Sequence, residues 1–134
     1  MEKFDDVLIK LQKITDDCDE ESKKFLKSQT KLLKKKVVNT AKTRIKKRTG
    51  NYLKGIKEGK IYTYKNNFSQ RVYSAAKHAH LIEEGHKIIR KKEGIELGKT
   101  EGKNILKDSL NNFIADFEQN SETFLDKLFE DFWG

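Results

Sequence analysis

Apolar residues recur at helical spacing near both ends of the chain, and the period changes in the middle. From about residue 4 to residue 48, apolar positions fall mostly three, four or seven residues apart, which predicts a long amphipathic helix. Those positions are Phe4, Leu8, Leu11, Cys18, Phe25, Leu32 or Leu33, Val37, Ala41 and Ile45. The run 15–24 is nearly all polar, so we expect a kink or a break in this helix there.

A β-hairpin is predicted where the period changes. Thr49-Gly50-Asn51 ends the first helix, because glycine readily adopts the left-handed conformation that follows a last helical turn. A short helical turn over 52–56 comes next. The β-forming runs 60–65 and 68–73 flank Asn66-Asn67, and asparagine tolerates positive φ, so the two runs are expected to pair.

The second half of the chain predicts a short helix, a strand, a loop and a long helix. Ala75–Glu84 reads as a short helix closed by Gly85, and His86–Arg90 as a returning strand. The run 91–103 carries three glycines among charged residues and predicts a flexible loop. A final helix is expected over 104–132, because its apolar residues follow helical spacing. A length of 134 residues fits a single domain, 1–134.

Charge is distributed in blocks. Residues 1–20 carry a net charge of −4, 21–65 of +14, 66–100 of +3 and 101–134 of −5, for a total of +8. Charged residues make up 37% of the chain and apolar residues 35%, so a thin core and much solvated or partner-facing surface are expected. A basic middle flanked by acidic ends can pair with itself, with a neighbouring subunit or with a polyanion.

Several classes of protein are disfavoured by composition. Cys18 is the one cysteine, so an internal disulfide and a cysteine zinc site are excluded. No run approaches the ~18 apolar residues of a membrane span, and the acidic start is unlike a signal peptide. We therefore expect a soluble protein made in the cytoplasm.

A cluster of histidines and carboxylates is the strongest candidate for chemistry. His78, His80 and His86 lie near Glu83 and Glu84, and imidazole and carboxylate are good metal ligands. Their spacing matches neither the H-E-x-x-H nor the H-x-x-E-H pattern, and the chain has no G-x-S-x-G or phosphate-binding glycine loop. We expect no metal, no cofactor and no enzymatic activity, with the cluster forming a polar helix end.

Two motifs in a fixed order resemble the gene-product-ten-like family of tailed phages, whose members are small structural proteins of the neck and tail. The first is a basic helix end followed by Thr-Gly-Asn-Leu, here 46–56 with Tyr52 as a departure. The second is 79–86, Ala-His-Leu-Ile-Glu-Glu-Gly-His, with Glu84 where the family usually has an aromatic residue. A loop and a last helix then follow, so the resemblance covers about 25–132.

The resemblance implies an α+β fold with a long N-terminal helix, a small antiparallel sheet with a short helix, and a long C-terminal helix. It implies a tail-completion or neck protein of the virion that joins the head connector to the tail as a homo-oligomeric ring, a hexamer or dodecamer, around the DNA channel. Motif residues would then be architectural and fix turns: Thr49, Gly50, Asn51, Ala79, Glu83, Gly85 and His86.

Basic clusters are the candidate contact surface. They would face DNA or an acidic neighbouring subunit: Lys34, Lys35, Lys36, Lys46, Lys47, Arg48, Arg90, Lys91 and Lys92. The alternative function is a nonspecific nucleic-acid-binding module that uses the basic region 21–65, since such a surface binds phosphate backbones without sequence preference. No motif for sequence-specific DNA or RNA recognition accompanies it.

Overall fold

Two long helices pack with a small antiparallel sheet in the computed structural model, which describes residues 6–12, 16–45, 50–76, 79–90 and 95–133. In chain order the elements are β1 (Asp6–Gln12), a 3-10 turn (Asp16–Cys18), α1 (Asp19–Arg44), α2 (Gly50–Lys54), β2 (Ile56–Glu58), β3 (Tyr62–Tyr64), β4 (Asn67–Ser74), α3 (Ala79–Glu84), β5 (Gly85–Arg90), β6 (Ile95–Glu101) and α4 (Ile105–Trp133). This arrangement confirms the predicted α+β fold.

Strand β4 is the centre of the main sheet. β1 pairs antiparallel with one edge of β4, with Leu11 opposite Phe68. β2 and β3 follow each other along the other edge, where Thr63 lies opposite Phe68 and Ile56 opposite Ser74. Phe68 and Val72 of β4 are buried, and they join the core with the inward residues of α1, which are Leu26, Leu33, Val37 and Ala41.

The first strand corrects the prediction of a helix beginning near residue 4. Residues 6–12 form β1, and the predicted break in the polar run is the junction where the 3-10 turn leads into α1. Ile9 and Leu11 are buried whereas Lys10 is exposed, which is the two-residue alternation of a strand. Leu8 and Leu11 also fit a helical step of three, so a short apolar run was compatible with both periods.

The end of α1 also differs from the prediction. The helix stops at Arg44, and Ile45 is extended, with φ −108° and ψ 131°, while its N–H still donates to the carbonyl of Ala41. Ile45 is half-buried against the core, which favours turning the chain inward here. Gly50 therefore opens α2 and does not close α1. Residues 46–49 lie outside the described part of the chain.

The predicted hairpin is present, with its turn one residue earlier than expected. Lys65 and Asn66 have φ values of 49° and 62°, and Tyr64 pairs with Asn67. Positive φ at both central residues is the signature of the type I′ turn, whose twist matches that of two antiparallel strands.

Helices α1 and α4 run antiparallel and pack through an aromatic and polar seam. The rings of Phe25 and Phe124 stack with centroids 4.3 Å apart, and Asn120 donates to the Gln29 side chain at 2.9 Å. Arg44 at the end of α1 bonds to Asp108 in the first turn of α4. Within the described ranges, no helix combines the length and the apolar character that crossing a membrane requires.

A second two-stranded sheet replaces most of the predicted flexible loop. β6 spans Ile95–Glu101 and pairs antiparallel with β5, confirming the predicted strand over 86–90 and correcting the loop at 95–101. A register shift between Ile88 and Ile89 accompanies the pairing of Ile88 with Gly98, so a glycine that suggested flexibility lies at a sheet irregularity. Residues 91–94 of the predicted loop lie outside the described part.

The sequence left open whether Leu32 or Leu33 faces the core, and the structure assigns Leu33. Leu33 is fully buried, whereas Leu32 is 43% exposed. We expect Leu33→Ala to lower the free energy of unfolding by about 2–5 kcal/mol, because it removes buried methyl groups and leaves a cavity. Leu32→Ala is the matched control and should change it by less than ~0.5 kcal/mol. Urea unfolding measures both values, and equal effects would contradict the assigned helix phase.

Candidate functional site

A buried carboxylate in α3 holds the start of α4. Ala79 and Glu83 are one helical turn apart and both are buried, while His80 and Glu84, the residues that follow them, are exposed. Glu83 is only 2% exposed. Its carboxylate accepts hydrogen bonds from the backbone N–H groups of Leu106 at 2.9 Å and Lys107 at 3.2 Å.

These bonds give α4 a cap supplied by another helix. The first N–H groups of a helix have no partner within it, and their partial positive charge favours a carboxylate. The contact runs both ways, because Lys103 and Asn104 donate backbone hydrogen bonds to the carbonyls of Ile82 and Glu83, at 2.8 and 3.0 Å. We call this contact between α3 and the start of α4 the Glu83 junction.

Burial sets the electrostatics of the junction. It raises the pKa of Glu83, while the hydrogen bonds from the α4 backbone, which favour the charged form, oppose that rise. Asp108 nearby raises the pKa further through charge repulsion. Two effects on the Glu83 carboxyl therefore oppose each other. Protonation removes the cost of burying a charge, and ionisation strengthens the hydrogen bonds that cap α4.

Tyr52 of the first sequence motif lies next to Glu83 of the second. Its ring is 1% exposed, and burial together with the adjacent Glu83 carboxylate raises the pKa of the phenol. Its hydroxyl is buried, and no partner with hydrogen-bond geometry accompanies it in the described part of the chain. Ser74 at the end of β4 donates to the Tyr52 carbonyl at 3.2 Å, which fixes α2 to the sheet. Tyr52, one of the two residues that depart from the family pattern, thus lies at the Glu83 junction.

Two glycines allow the backbone to pass through the junction. Gly85 has a φ of 83°, consistent with the predicted closure of the short helix by a glycine. A Cβ atom on Gly102 would lie within 2.3 Å of the Glu83 carbonyl oxygen and 2.7 Å of the Glu84 carbonyl carbon. Such a contact is with backbone that cannot move aside, so position 102 accommodates only glycine in this arrangement.

The other architectural candidates are spread over neighbouring elements. Gly50 and Asn51 form the start of α2, and His86 in β5 pairs with Thr100. Thr49 and His78 lie outside the described residues. Among the residues that are described, no group of three or more histidine, cysteine or carboxylate side chains is arranged to hold a metal ion.

The predicted basic cluster in α1 does not form one surface. Lys35 is exposed, Lys34 is half-buried, and Lys36 turns to α4, where its ammonium lies 3.4 Å from Asp116 and 3.2 Å from the carbonyl of Asn112. Consecutive residues point about 100° apart on a helix, so three adjacent lysines cannot share a face. Arg90 lies in β5, and the remaining basic candidates fall outside the described ranges: Lys46, Lys47, Arg48, Lys91 and Lys92.

A different set of lysines does share one face of α1. These exposed residues follow steps of three, four and seven, and we call them the lysine row: Lys24, Lys27, Lys31, Lys35 and Lys42. The helical spacing of these lysines is visible in the sequence, but it identifies them as one exposed face only once the buried face of α1 is known. The outer side of α4 carries exposed carboxylates at steps of four, and we call them the acidic row: Glu118, Glu122, Asp126 and Glu130.

Comparison with known proteins matched the chain to a family of phage proteins. The family model described as "Bacteriophage HK97-gp10, putative tail-component" matches residues 5–85, more than half of the chain. The matched region runs from β1 to Gly85, and it contains the first sequence motif, all but the last residue of the second, and the Glu83 side of the junction. No curated protein and no solved structure matched the chain.

The junction predicts how stability depends on pH. Because the pKa of folded Glu83 is raised above its ordinary 4.5, the folded state holds this proton more tightly than the unfolded state does. The associated stability is fully present below about pH 4.5 and is lost as pH rises through the folded-state pKa. Glu83→Gln cannot titrate, so the stability difference between wild type and this variant should move in favour of the variant as pH rises from 4 to 7 in urea unfolding.

Glu83→Ala serves as the comparison for the same measurement. It removes both acceptors from the α4 backbone and should lower the free energy of unfolding by about 2–3 kcal/mol at pH 4. Because alanine cannot titrate either, this loss should shrink as pH rises by as much as the Glu83→Gln difference changes. A difference between wild type and Glu83→Gln that stayed constant across this pH range would contradict the raised pKa.

Proposed function

This chain belongs to the HK97 gp10-like family of bacteriophage tail components, and on that premise we propose that it is a tail-completion or neck protein of the virion. In this role it joins the head connector to the tail as a homo-oligomeric ring of six or twelve copies around the DNA channel. The protein is made in the cytoplasm of the bacterial host and ends in the particle. The observation that carries the proposal is the family match over residues 5–85.

The use of the motif residues supports a structural role without a catalytic step. Glu83 is buried and its oxygens accept hydrogen bonds from the α4 backbone. Tyr52 is buried beside Glu83. Gly85 adopts a positive φ, and Gly102 leaves room for the backbone of Glu83 and Glu84. The motif residues thus hold α2 on the sheet and set the start of α4, and the surfaces of the two long helices are what a ring subunit offers its neighbours and the head and tail proteins.

Interruption of the gene in its phage tests this role. A stop codon at Gln12 should yield DNA-filled heads and separate tails in the lysate, because both are complete but lack the piece that joins them. Addition of the purified protein should restore joined particles and infectious titre. Electron microscopy and plaque counts measure the two outcomes.

The control addition is the same protein after thermal unfolding, which should restore nothing. Joined, infectious particles in the absence of the protein would contradict the proposal. So would a lysate with neither heads nor tails, since that would place the protein at an earlier step of assembly.

The lysine row favours a second candidate function, nonspecific binding of nucleic acid. It aligns five exposed lysines along one face of α1, and each lysine that neutralises a phosphate releases a counterion. This alternative requires the logarithm of the affinity for duplex DNA to fall with the logarithm of salt concentration with a slope of about −4.5. Filter binding across a salt series measures that slope, and a slope near zero would exclude the alternative.

A further inference from the structure

We propose that the lysine row of one subunit packs against the acidic row of the next, so that copies of this chain meet through α1–α4 contacts. The inference rests on the proposed function, since it names the surfaces by which ring subunits join. Its partner is a second copy of the chain, identified by charge.

The charges of the two long helices are opposite and mostly unused within the subunit. α1 carries nine basic and three acidic side chains, net +6, and α4 carries two basic and seven acidic side chains, net −5. Across their seam, Lys36 pairs with Asp116 and Arg44 with Asp108. No member of either row forms an ion pair with any other described residue.

Helix geometry explains why the rows stay apart within the subunit. Residues of α1 that contact α4, such as Phe25, Gln29 and Lys36, lie well around the helix from Lys31. Glu122 lies on the side of α4 opposite its contact residue Asn120. Each row therefore points away from the α1–α4 seam, towards whatever lies outside the subunit.

The part of the lysine row from Lys24 to Lys35 matches the acidic row in length and period. Lys24 to Lys35 spans about 17 Å and Glu118 to Glu130 about 18 Å, at ~1.5 Å per residue. Both of these stretches advance by three or four residues, the spacing at which neighbouring side chains on one helix face another helix. Two helices laid side by side can thus bring successive lysines close to successive carboxylates.

Exposed apolar side chains accompany the charged rows. Leu32 is 43% exposed, three residues before Lys35 on α1, and Ile114 is 42% exposed, four residues before Glu118 on α4. Interfaces bury apolar anchors at their centres and place charges around them. The charges would set the register of the contact, and the apolar residues would supply surface to bury.

Symmetry favours a ring over a two-fold dimer. A two-fold contact that places a row on its own copy would oppose like charges. Because the two rows point away from the α1–α4 seam on opposite sides of the subunit, one two-fold contact cannot pair both rows at once. A contact between different rows is therefore head-to-tail, and it leaves one row of each kind open at the two ends until the ring closes. DNA would satisfy the lysine row alone, whereas a neighbouring subunit satisfies both rows.

Charge exchange tests the contact. Lys31→Glu with Lys35→Glu places two carboxylates in the middle of the lysine row, where they oppose the acidic row. Glu118→Lys with Glu122→Lys places two ammonium groups in the acidic row, where they oppose the lysine row. Each double variant should raise the dissociation constant of the oligomer by at least about 100-fold, because opposed like charges are costly. The chain carrying all four substitutions should assemble again, and so should an equal mixture of the two double variants, in alternation. Native mass spectrometry measures the oligomers, and the head–tail joining assay applied to the same variants gives a second readout.

Lys54→Glu with Lys57→Glu is the matched control, because these lysines are exposed on α2 and β2 and the pair changes net charge equally. It should leave assembly unchanged. If wild type assembles and the lysine-row variant does too, losing only DNA binding, the inference is overturned and the row faces DNA. If the four-substitution chain fails where wild type assembles, it is also overturned. Wild type that neither oligomerises nor joins heads to tails would overturn the proposed function together with this inference.

Discussion

A buried carboxylate with two backbone N–H partners is the constraint on which the rest of this structure depends. Glu83 is removed from water, so it needs partners of its own, and the unsatisfied first turn of α4 supplies them. Together with burial, the Glu83 carboxylate also raises the pKa of the Tyr52 phenol, which belongs to the first motif. One interaction therefore joins α2, α3 and α4 and sets where α4 begins. The antiparallel seam with α1 follows from that starting point, and so does the orientation of the outer helix faces.

Elements with many repeats of one period were predictable, and short ones were less so. The last helix offers many apolar residues at helical spacing, and the hairpin combines β-forming runs with asparagine, so both were found. The strand β1 has only a few apolar residues, and Leu8 and Leu11 fit either period. Its pairing with β4 decides in favour of a strand, and that partner lies about sixty residues away. The ribbon of β5 and β6 was obscured because glycines suggested a loop where Gly98 lies at a register shift.

The site was predictable in its residues and not in its contacts. Glu83 stood out through its motif, but its partners Leu106 and Lys107 follow a strand pair that the sequence did not predict. The steric role of Gly102 arises from the same close approach of backbone to backbone. Lys34, Lys35 and Lys36 drew attention as neighbours in sequence, whereas neighbours on a helix surface are three or four residues apart. The net charge of a sequence window measures composition only. Which charged side chains share a helix surface depends on which face of that helix is buried.

The β5–β6 ribbon leaves and re-enters the subunit at nearly the same place. Gly85 pairs with Glu101, and the backbone bonds of Lys103 and Asn104 to α3 close the base immediately afterwards. The route from α3 to α4 is thus a short bridge with the ribbon as a side branch. Residues added or removed at the ribbon tip would change the reach of that branch without moving either helix. Evolution can accordingly adjust this appendage to differently shaped neighbours while the subunit core keeps its dimensions.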